Sequence, residues 1–232
     1  MTAPNTLNWI RLGLLALPVY GLLTFWSTLH PQPDQVNDPE AWARFVSTTS
    51  YLVSHLLGST GGTILAIFGV FALGAYLARS RAGRMGLAAM VVTVAGHALL
   101  LVPAVLSTFA TPAIGRAYLA GIEDVMKVEF SPAMTVTFML GLLLALVGNL
   151  LLGLAVWRSR TLPRWAGAIW AVSALVFYVL GVVLGQATTG ASLPTQPVGA
   201  LLMAASGGWI AWSALRRPSA EATGAAVQPR VQ

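Results

Sequence analysis

Residues 131–165 read SPAMTVTFMLGLLLALVGNLLLGLAVWRSRTLPRW, and this stretch decides the fold. The pair Ser131-Pro132 is typical of a helix start. The apolar run 132–157 that follows carries no charged side chain, and a transmembrane helix needs about 20 mostly apolar residues. A short basic loop comes next, with Arg158, Arg160 and Arg164. The stretch therefore predicts a membrane span, a tight turn and a returning helix.

The same alternation of apolar runs and short polar loops continues along the whole chain. Of its 232 residues, 56% are hydrophobic and 9% are charged, whereas soluble domains carry about a quarter charged residues. We predict an all-α integral membrane protein, a bundle of six transmembrane helices in one domain over residues 1–217. The predicted spans are 10–29, 48–78, 85–109, 132–157, 163–186 and 196–215. Residues 218–232 lack apolar periodicity and are predicted to form a disordered cytoplasmic tail.

The connections before the second and fourth spans contain further helix signals. Asp38-Pro39-Glu40 places an N-cap before a proline at the first helical position. The segment 110–131 is predicted to be an outer loop, either with a short surface helix around Ile114 and Tyr118 or as an ordered loop packed on the rim. Pro18 predicts a kink in the first span, which we interpret as retained because no small-x-small cleavage pattern follows it.

The distribution of charge predicts the orientation of the chain. The termini and the loops on their side hold ten basic residues and one acid, Glu221, for a net charge of +9. The opposite loops hold three basic residues and six acids, for a net charge of −3. Since basic loops stay in the cytoplasm, we predict both termini to be cytoplasmic and the protein to lie in a plasma (inner) membrane. The 12 Arg against one Lys suggest a bacterial origin.

Composition also excludes several classes of function. The chain has no Cys, which excludes disulfides and thiolate metal sites. No Asp, Glu, Lys or Arg lies within the hydrocarbon segments, so carriers built on buried carboxylates are not favoured. No catalytic motif is visible, and the prediction leans toward a protein that is not an enzyme. The arginine clusters follow from topology, so contact with the lipid bilayer is expected and nucleic-acid binding is not.

Two features concern how the helices are arranged. Ala78-Arg79-Ser80-Arg81 after the second span matches Trp157-Arg158-Ser159-Arg160 after the fourth. This match suggests a parallel duplication of a two-helix hairpin, spans 2–3 and 4–5, with spans one and six outside that core; topology alone would also make both loops basic. Small residues form stripes on the second, fifth and sixth spans. These stripes favour close helix packing, either within the chain or with a second copy or a partner subunit.

The interior offers few groups that could form a site. His55 on the second span and His97 on the third are the ionisable ones, and intramembrane ionisable residues are often functional. We predict that a ligand cavity between the second, third and fourth spans would be lined by His55, Ser59, Thr63, Thr93, His97 and Asn149. The simpler interpretation is that these side chains satisfy one another and nearby carbonyls in a filled interior.

Three functions remain open at this point. The leading one is an accessory or assembly subunit, or a binder of an apolar small ligand in the bilayer. The second is a b-type haem electron-transfer protein ligated by His55 and His97, although their depths differ by several ångströms. The third is a facilitator or transporter of a small neutral or apolar solute. No metal or resident cofactor is predicted.

Overall fold

The computed structural model describes residues 6–30, 32–127, 131–189 and 192–216. Within them, six helices are long and apolar enough to cross a membrane, which confirms the predicted six-helix organisation: Thr6–Ser27, Thr49–Leu77, Gly83–Leu119, Pro132–Ser159, Arg164–Thr188 and Thr195–Leu215. We call these the first to sixth spans. The predicted tail 218–232 lies outside the described residues.

The spans pack as a closed ring in chain order. Each span contacts the next, and the sixth returns to pack along the first. Leu14 and Leu17 of the first span and Ile210 of the sixth are fully buried in the main apolar core. The prediction that spans one and six lie outside a four-helix core is therefore wrong, because both contribute interior residues. The first span separates the second from the sixth and fills the space between them.

The first span is kinked, as Pro18 predicts. It consists of Thr6–Gly13 and Ala16–Ser27, with a turn at Leu14 and Leu15 between them. Proline clashes with the carbonyl four residues earlier and cannot donate to it, and residue 14 is four residues before Pro18. The break therefore lies one turn upstream of the proline. The Leu15 N–H instead donates to the Leu12 carbonyl, three residues earlier, at 3.0 Å, and this hydrogen bond closes the turn.

A short helix, Pro39–Val46, precedes the second span. The Asp38 side chain accepts a hydrogen bond from the Ala41 N–H at 3.1 Å, which confirms the predicted N-cap. The Thr48 hydroxyl then accepts from the Tyr51 N–H and caps a new helix, Thr49–Ser54. The span continues as a π-helix over His55–Gly61 and returns to α-helix over Gly62–Leu77.

The third span is longer than predicted. It runs unbroken over Gly83–Leu119 with Pro103 and Pro112 inside, so residues 110–119 continue the helix rather than forming the predicted loop. A single turn of 3-10 helix follows at Glu123–Lys127. The extension packs through Ile114 and Tyr118 on the short helix, where Trp42 and Val46 are buried. That apolar contact is what keeps residues 110–119 helical.

The remaining chain forms three further spans. The fourth is the α-helix Pro132–Ser159; the sixth is Thr195–Leu215. The fifth comprises Arg164–Ala174, a π-helix over Leu175–Val183 and Leu184–Thr189. We call one end of the bundle the arginine end, after Arg79, Arg81, Arg84, Arg158, Arg160, Arg164 and Arg216. The other is the acidic end, after Asp34, Asp38, Glu40, Glu123 and Asp124.

The predicted small-residue stripes are used for packing within the chain. A side chain at Gly58 would overlap Ser27, and one at Gly21 would overlap the Ala204 backbone. A side chain at Gly181 would overlap Gln196. These positions are where the first span approaches the second and sixth, and where the fifth approaches the sixth. Small residues permit such close backbone approach, so these stripes hold the ring together.

Candidate functional site

The six candidate site residues do not form one site. His55 and Ser59 line an open cavity at the acidic end. Thr93 and His97 are buried in the centre of the ring, together with Asn149 on the neighbouring helix. Thr63 lies one turn below Ser59 and does not line the cavity. These residues therefore belong to the open cavity, to a buried region around His97 and to a separate buried contact of Asn149, and the predicted single cavity between the second, third and fourth spans is not formed.

The open cavity, which we call the acidic-end cavity, has a volume of about 870 Å³. Ligand pockets generally measure about 300–1,000 Å³, so it can hold a small molecule. It lies between the acidic ends of the first, second, fifth and sixth spans and the loop that follows the first. Eleven of its described lining residues are serine, threonine or glutamine, which carry a hydroxyl or amide group: Ser27, Thr28, Gln32, Gln35, Thr48, Ser50, Ser54, Ser59, Gln186, Ser192 and Gln196. Leucine, proline and phenylalanine side chains supply a comparable apolar part of the wall: Leu29, Pro33, Phe45, Leu193, Pro194 and Pro197.

Charged groups contribute little to this cavity. Among the described residues that line it, Asp34 is the only acidic one, and none is Lys or Arg. The Asp34 carboxylate is already bonded within its own loop, to the N–H groups of Asn37 and Val36 and to the Asn37 amide. These hydrogen bonds lower the pKa of Asp34, and the bonds from Asn37 contribute most to the lowering. The carboxylate therefore stays ionised, and its bonds hold the loop in place at the rim.

His55 lies in the wall of the acidic-end cavity and is half-buried. Its ring stacks on Tyr51 with centroids 3.8 Å apart, and its Nδ1 is 3.0 Å from the Tyr51 carbonyl. A carbonyl can only accept, so in the neutral ring Nδ1 donates and Nε2 is left as the acceptor. Ser54 Oγ also approaches Nδ1, at 3.3 Å. A donating Nδ1 cannot take a proton from Ser54, so the pair does not form a nucleophile and base.

His97 has a different environment in the centre of the ring. It is 3% exposed, and its Nδ1 donates to the Thr93 carbonyl at 2.9 Å. Its Nε2 lies 3.4 Å from the Tyr178 hydroxyl of the fifth span, which fits a hydroxyl that donates to it. The Tyr20 ring of the first span packs edge-on against the imidazole, with centroids 5.9 Å apart. His97 therefore joins three spans that are far apart in sequence.

Tyr20 and Tyr178 were missed by the sequence analysis, which considered histidines, amides and short hydroxyl side chains. Both tyrosines are buried, and Tyr20 has polar interactions with Tyr178 and with Thr24. Thr24, Tyr20, Tyr178 and His97 form a continuous series that we call the buried polar column. The end of the column nearest the acidic-end cavity is Thr24, which lies one helical turn from Ser27 and Thr28 of the cavity wall. The sequence feature that could have indicated these two residues is the position of each tyrosine in the middle of an otherwise aliphatic span.

Asn149 belongs to a separate contact between the fourth and fifth spans. Its Oδ1 accepts from Trp170 Nε1 at 3.0 Å, and its Nδ2 donates to the Ala145 carbonyl at 2.8 Å. Both side chains are almost fully buried. Buried polar groups that are satisfied in this way stabilise packing and are not free to bind a ligand. The structure therefore gives Asn149 a helix-pairing role instead of the predicted cavity position.

The surroundings of the two histidines do not favour the haem alternative. His97 Nε2, the atom that would ligate iron, faces Tyr178, whereas His55 belongs to the acidic-end cavity, which His97 does not line. Within the described ranges, no group of three or more His, Asp or Glu side chains could hold a metal ion. The haem alternative can be tested directly by the absorption spectrum of the protein after expression with haem supplied. A Soret band would support it, and the absence of that band would exclude it.

Comparison of the chain with protein-family models, with curated proteins and with solved structures found no match.

Proposed function

We propose that this protein binds a small, uncharged, polar solute in the acidic-end cavity and facilitates its passage across the membrane. The observation that carries the proposal is the composition of the cavity wall, where hydroxyl and amide groups from four spans converge around about 870 Å³. Such groups exchange hydrogen bonds with a polar solute and replace its water. An apolar ligand would leave these groups without partners, so the polar part of the wall favours a polar solute, and the predicted binding of an apolar molecule remains the alternative.

The absence of lysine and arginine from the described lining speaks for an uncharged solute. An anionic solute would meet the Asp34 carboxylate at the rim and no basic side chain other than the histidines. A cationic solute would find that carboxylate already occupied by Asn37 and Val36. Polyols and small amides have the complementary chemistry, since each hydroxyl or amide both donates and accepts.

The buried polar column gives the solute a direction of travel. Thr24 and Tyr20 pack beside Gly62, about one turn from the cavity residues Ser27 and Ser59, and do not line the cavity themselves. We interpret them as its floor. Below that floor, the hydroxyls of Tyr20 and Tyr178 and the Nε2 of His97 are the next polar groups. In this conformation the floor is shut. Passage would require the first span to move away from the second.

The two π-helices are suited to such a movement. His55–Gly61 carries the cavity residues His55 and Ser59, and Leu175–Val183 ends one turn before the cavity residue Gln186. In the second π-helix the Gly181 carbonyl accepts from the Leu193 N–H, at 3.0 Å, across the connection to the sixth span. π-helical segments are rare and occur frequently at functional sites. Both flank the same cavity.

The orientation proposed for this function places the acidic end outside and the arginine end in the cytoplasm of a bacterium. The charge difference between the two ends supports it. The chain has no Cys, so Val36→Cys and Ala78→Cys give single exposed thiols at opposite ends. In intact cells a membrane-impermeant maleimide should label Val36→Cys only. Labelling of Ala78→Cys alone would show that the arginine end, and not the acidic end, faces outward.

Thiol labelling also tests the cavity itself. We expect Ser59→Cys to react with a small, impermeant methanethiosulfonate reagent in the folded protein. The matched control Thr63→Cys, one turn deeper and outside the cavity, should react at least about tenfold more slowly because reactivity requires access. Glycerol or urea at high concentration should slow the reaction at residue 59. Equal rates at the two positions would refute the proposed floor.

Transport is tested in proteoliposomes with defined probes. Glycerol, erythritol and urea are added outside, and vesicle volume is followed by light scattering. We expect faster re-swelling with the protein than without it for at least one probe, and loss of that difference when Ser59→Cys has been modified. If no probe enters faster although Ser59→Cys is accessible and protected, the protein binds a solute without transporting it.

We also propose that the two hairpins, spans 2–3 and spans 4–5, are related by duplication. Ser80 and Ser159 hold their turns alike, because each hydroxyl oxygen accepts a backbone N–H two residues later, from Ala82 at 3.1 Å and from Thr161 at 3.2 Å. Gly74 and Gly153 both lie where the two helices of their hairpin cross. These shared details go beyond a common basic charge, which topology alone would produce.

A further inference from the structure

We propose that the arginine end contains a binding site for a phosphate-bearing anion, such as an anionic lipid headgroup or free phosphate. A hollow of about 610 Å³ lies there between the turn after the second span and the turn after the fourth. Four arginines line it: Arg81, Arg158, Arg160 and Arg164. Trp157 and Leu162 complete the wall. We call it the arginine hollow.

The positive-inside rule requires basic residues at this end but not their convergence on one hollow. Arg79 and Arg84 satisfy the same rule and do not line it. The four charges repel one another, and none of the described residues that line the hollow is acidic. Both ion pairs seen in the described part of the chain, Arg44–Glu40 and Lys127–Asp124, lie at the acidic end. An anion in the hollow would supply the missing counter-charge.

Arg164 is held in position for such a ligand. Its guanidinium carbon lies 5.7 Å from the Trp157 ring centroid and 5.4 Å from that of Trp165. The two indoles themselves pack edge to face, with centroids 5.2 Å apart. Cation–π contacts of this kind fix a flexible arginine without neutralising its charge. Interfacial tryptophans also place the hollow at the level of lipid headgroups.

Arg160 adds an independent observation. Its φ of 57° is the only left-handed value found for a non-glycine residue in the described ranges. Position 160 ends the fourth span, where glycine or asparagine is the usual residue for this conformation. An arginine there takes up a strained conformation that directs a cationic side chain at the hollow. Unusual backbone conformations of this kind cluster at ligand sites.

The geometry matches phosphate better than carboxylate or chloride. Phosphate monoesters and diesters offer two or more oxygens, and arginine binds such groups through paired N–H donors. Basic pockets between helices at the cytoplasmic side are where lipid phosphates bind. A lipid headgroup and inorganic phosphate share this chemistry, so the experiment must separate the two sources.

The experiment compares variants of the full chain in lipid nanodiscs. Arg160→Gly and Arg164→Gln each remove one charge from the hollow, and Arg79→Gln and Arg84→Gln remove one charge outside it. Glycine accepts the φ of 57° at position 160 without strain, and thermal unfolding of each variant shows whether a loss of binding accompanies a loss of stability. Native mass spectrometry measures the phosphatidylglycerol retained from mixed phosphatidylcholine and phosphatidylglycerol discs. Thermal unfolding in neutral detergent measures the effect of inorganic phosphate.

We expect the unaltered protein to retain phosphatidylglycerol, and the two hollow variants to retain about tenfold less, the loss that a charge-assisted contact to phosphate commonly represents. The two control variants should stay close to the unaltered protein. Stabilisation by inorganic phosphate that is lost in the hollow variants, without lipid retention, would identify the ligand as a free anion. Equal losses in all four variants, or no response to either probe, would overturn the proposal.

Discussion

His55 and His97 make the same local hydrogen bond and occupy opposite environments. In both, Nδ1 donates to the carbonyl four residues earlier, at 3.0 Å and 2.9 Å. His55 then stacks on Tyr51 in the wall of the acidic-end cavity. His97 is enclosed, with Nε2 facing Tyr178 and Tyr20 against its ring. The local helix fixes the tautomer, and the neighbouring spans decide whether the second nitrogen is accessible.

This difference indicates how the interior is divided. Polar groups that have partners from distant spans, such as His97 and Asn149, hold the ring together. Polar groups on the cavity wall, such as His55 and Ser59, remain available to a solute. Of the two histidines, His55 is therefore the one placed to contact a solute, whereas the interactions of His97 lie within the fold.

The largest expected effect is that of His97→Ala. The change removes packing at the junction of three spans and leaves the buried Tyr178 hydroxyl without its acceptor. We expect a loss of about 3 kcal/mol in the free energy of unfolding, measured by reversible denaturant unfolding in mixed micelles. His55→Ala is the matched control, and its loss should stay below about 1 kcal/mol because the ring lies at an open wall. Equal losses would remove the distinction between the two histidines.

A smaller effect is expected from Trp170→Phe. The ring volume is largely kept, but Asn149 Oδ1 loses the Nε1 donor 3.0 Å away. We expect a loss of about 1–2 kcal/mol, since a buried acceptor is left unsatisfied and interhelical hydrogen bonds in membranes have modest strength. Trp209→Phe, at an exposed indole, should change the unfolding free energy by less than about 0.5 kcal/mol. A loss at residue 209 equal to that at 170 would show that the indole bond does not matter.

The smallest effect concerns the rim of the acidic-end cavity. The hydrogen bonds from Asn37 hold the pKa of Asp34 below its ordinary value. A lowered pKa in the folded state means that the carboxylate stabilises its loop at neutral pH and that this stabilisation is lost as the pH falls through the folded-state pKa. Asn37→Ala removes the side-chain amide but keeps the backbone N–H, so it should raise the pKa of Asp34 only part of the way toward the ordinary value, as followed by NMR titration of labelled aspartate. An unchanged pKa would show that the side-chain amide does not contribute.

The spans could be predicted from the sequence because the requirement is local. Any run of about 20 apolar residues satisfies the bilayer, whatever its neighbours are. The predicted limits failed where tertiary contacts extend a helix. Residues 110–119 continue the third span because Ile114 and Tyr118 are covered by the short helix that begins at Pro39. The spacing of Ile114 and Tyr118 indicated a helix or a packed rim but not that it would continue the third span or pack on the helix Pro39–Val46.

The candidate site was predicted less well, for a related reason. His55 and Ser59 line the acidic-end cavity, but the other spans that contribute to its wall are the first, fifth and sixth, and not the third and fourth as predicted. The expected partner of His55 was His97, on the adjacent helix. Instead, His97 contacts Tyr20 and Tyr178, because the packing of the six helices brings the first and fifth spans against the imidazole. Residue type and spacing carry no information about which faces meet.

The sequence by itself determined six apolar helices, the separation of basic from acidic loops, the Asp38 cap and the kink near Pro18. Each of these depends on hydrophobicity, charge or backbone chemistry within a few residues. Only the tertiary structure decided the closure of the ring, the separation of His55 from His97, and the convergence of four arginines on one hollow. Those features depend on which helix faces meet, and packing between distant spans selects the faces through small residues and buried hydrogen bonds.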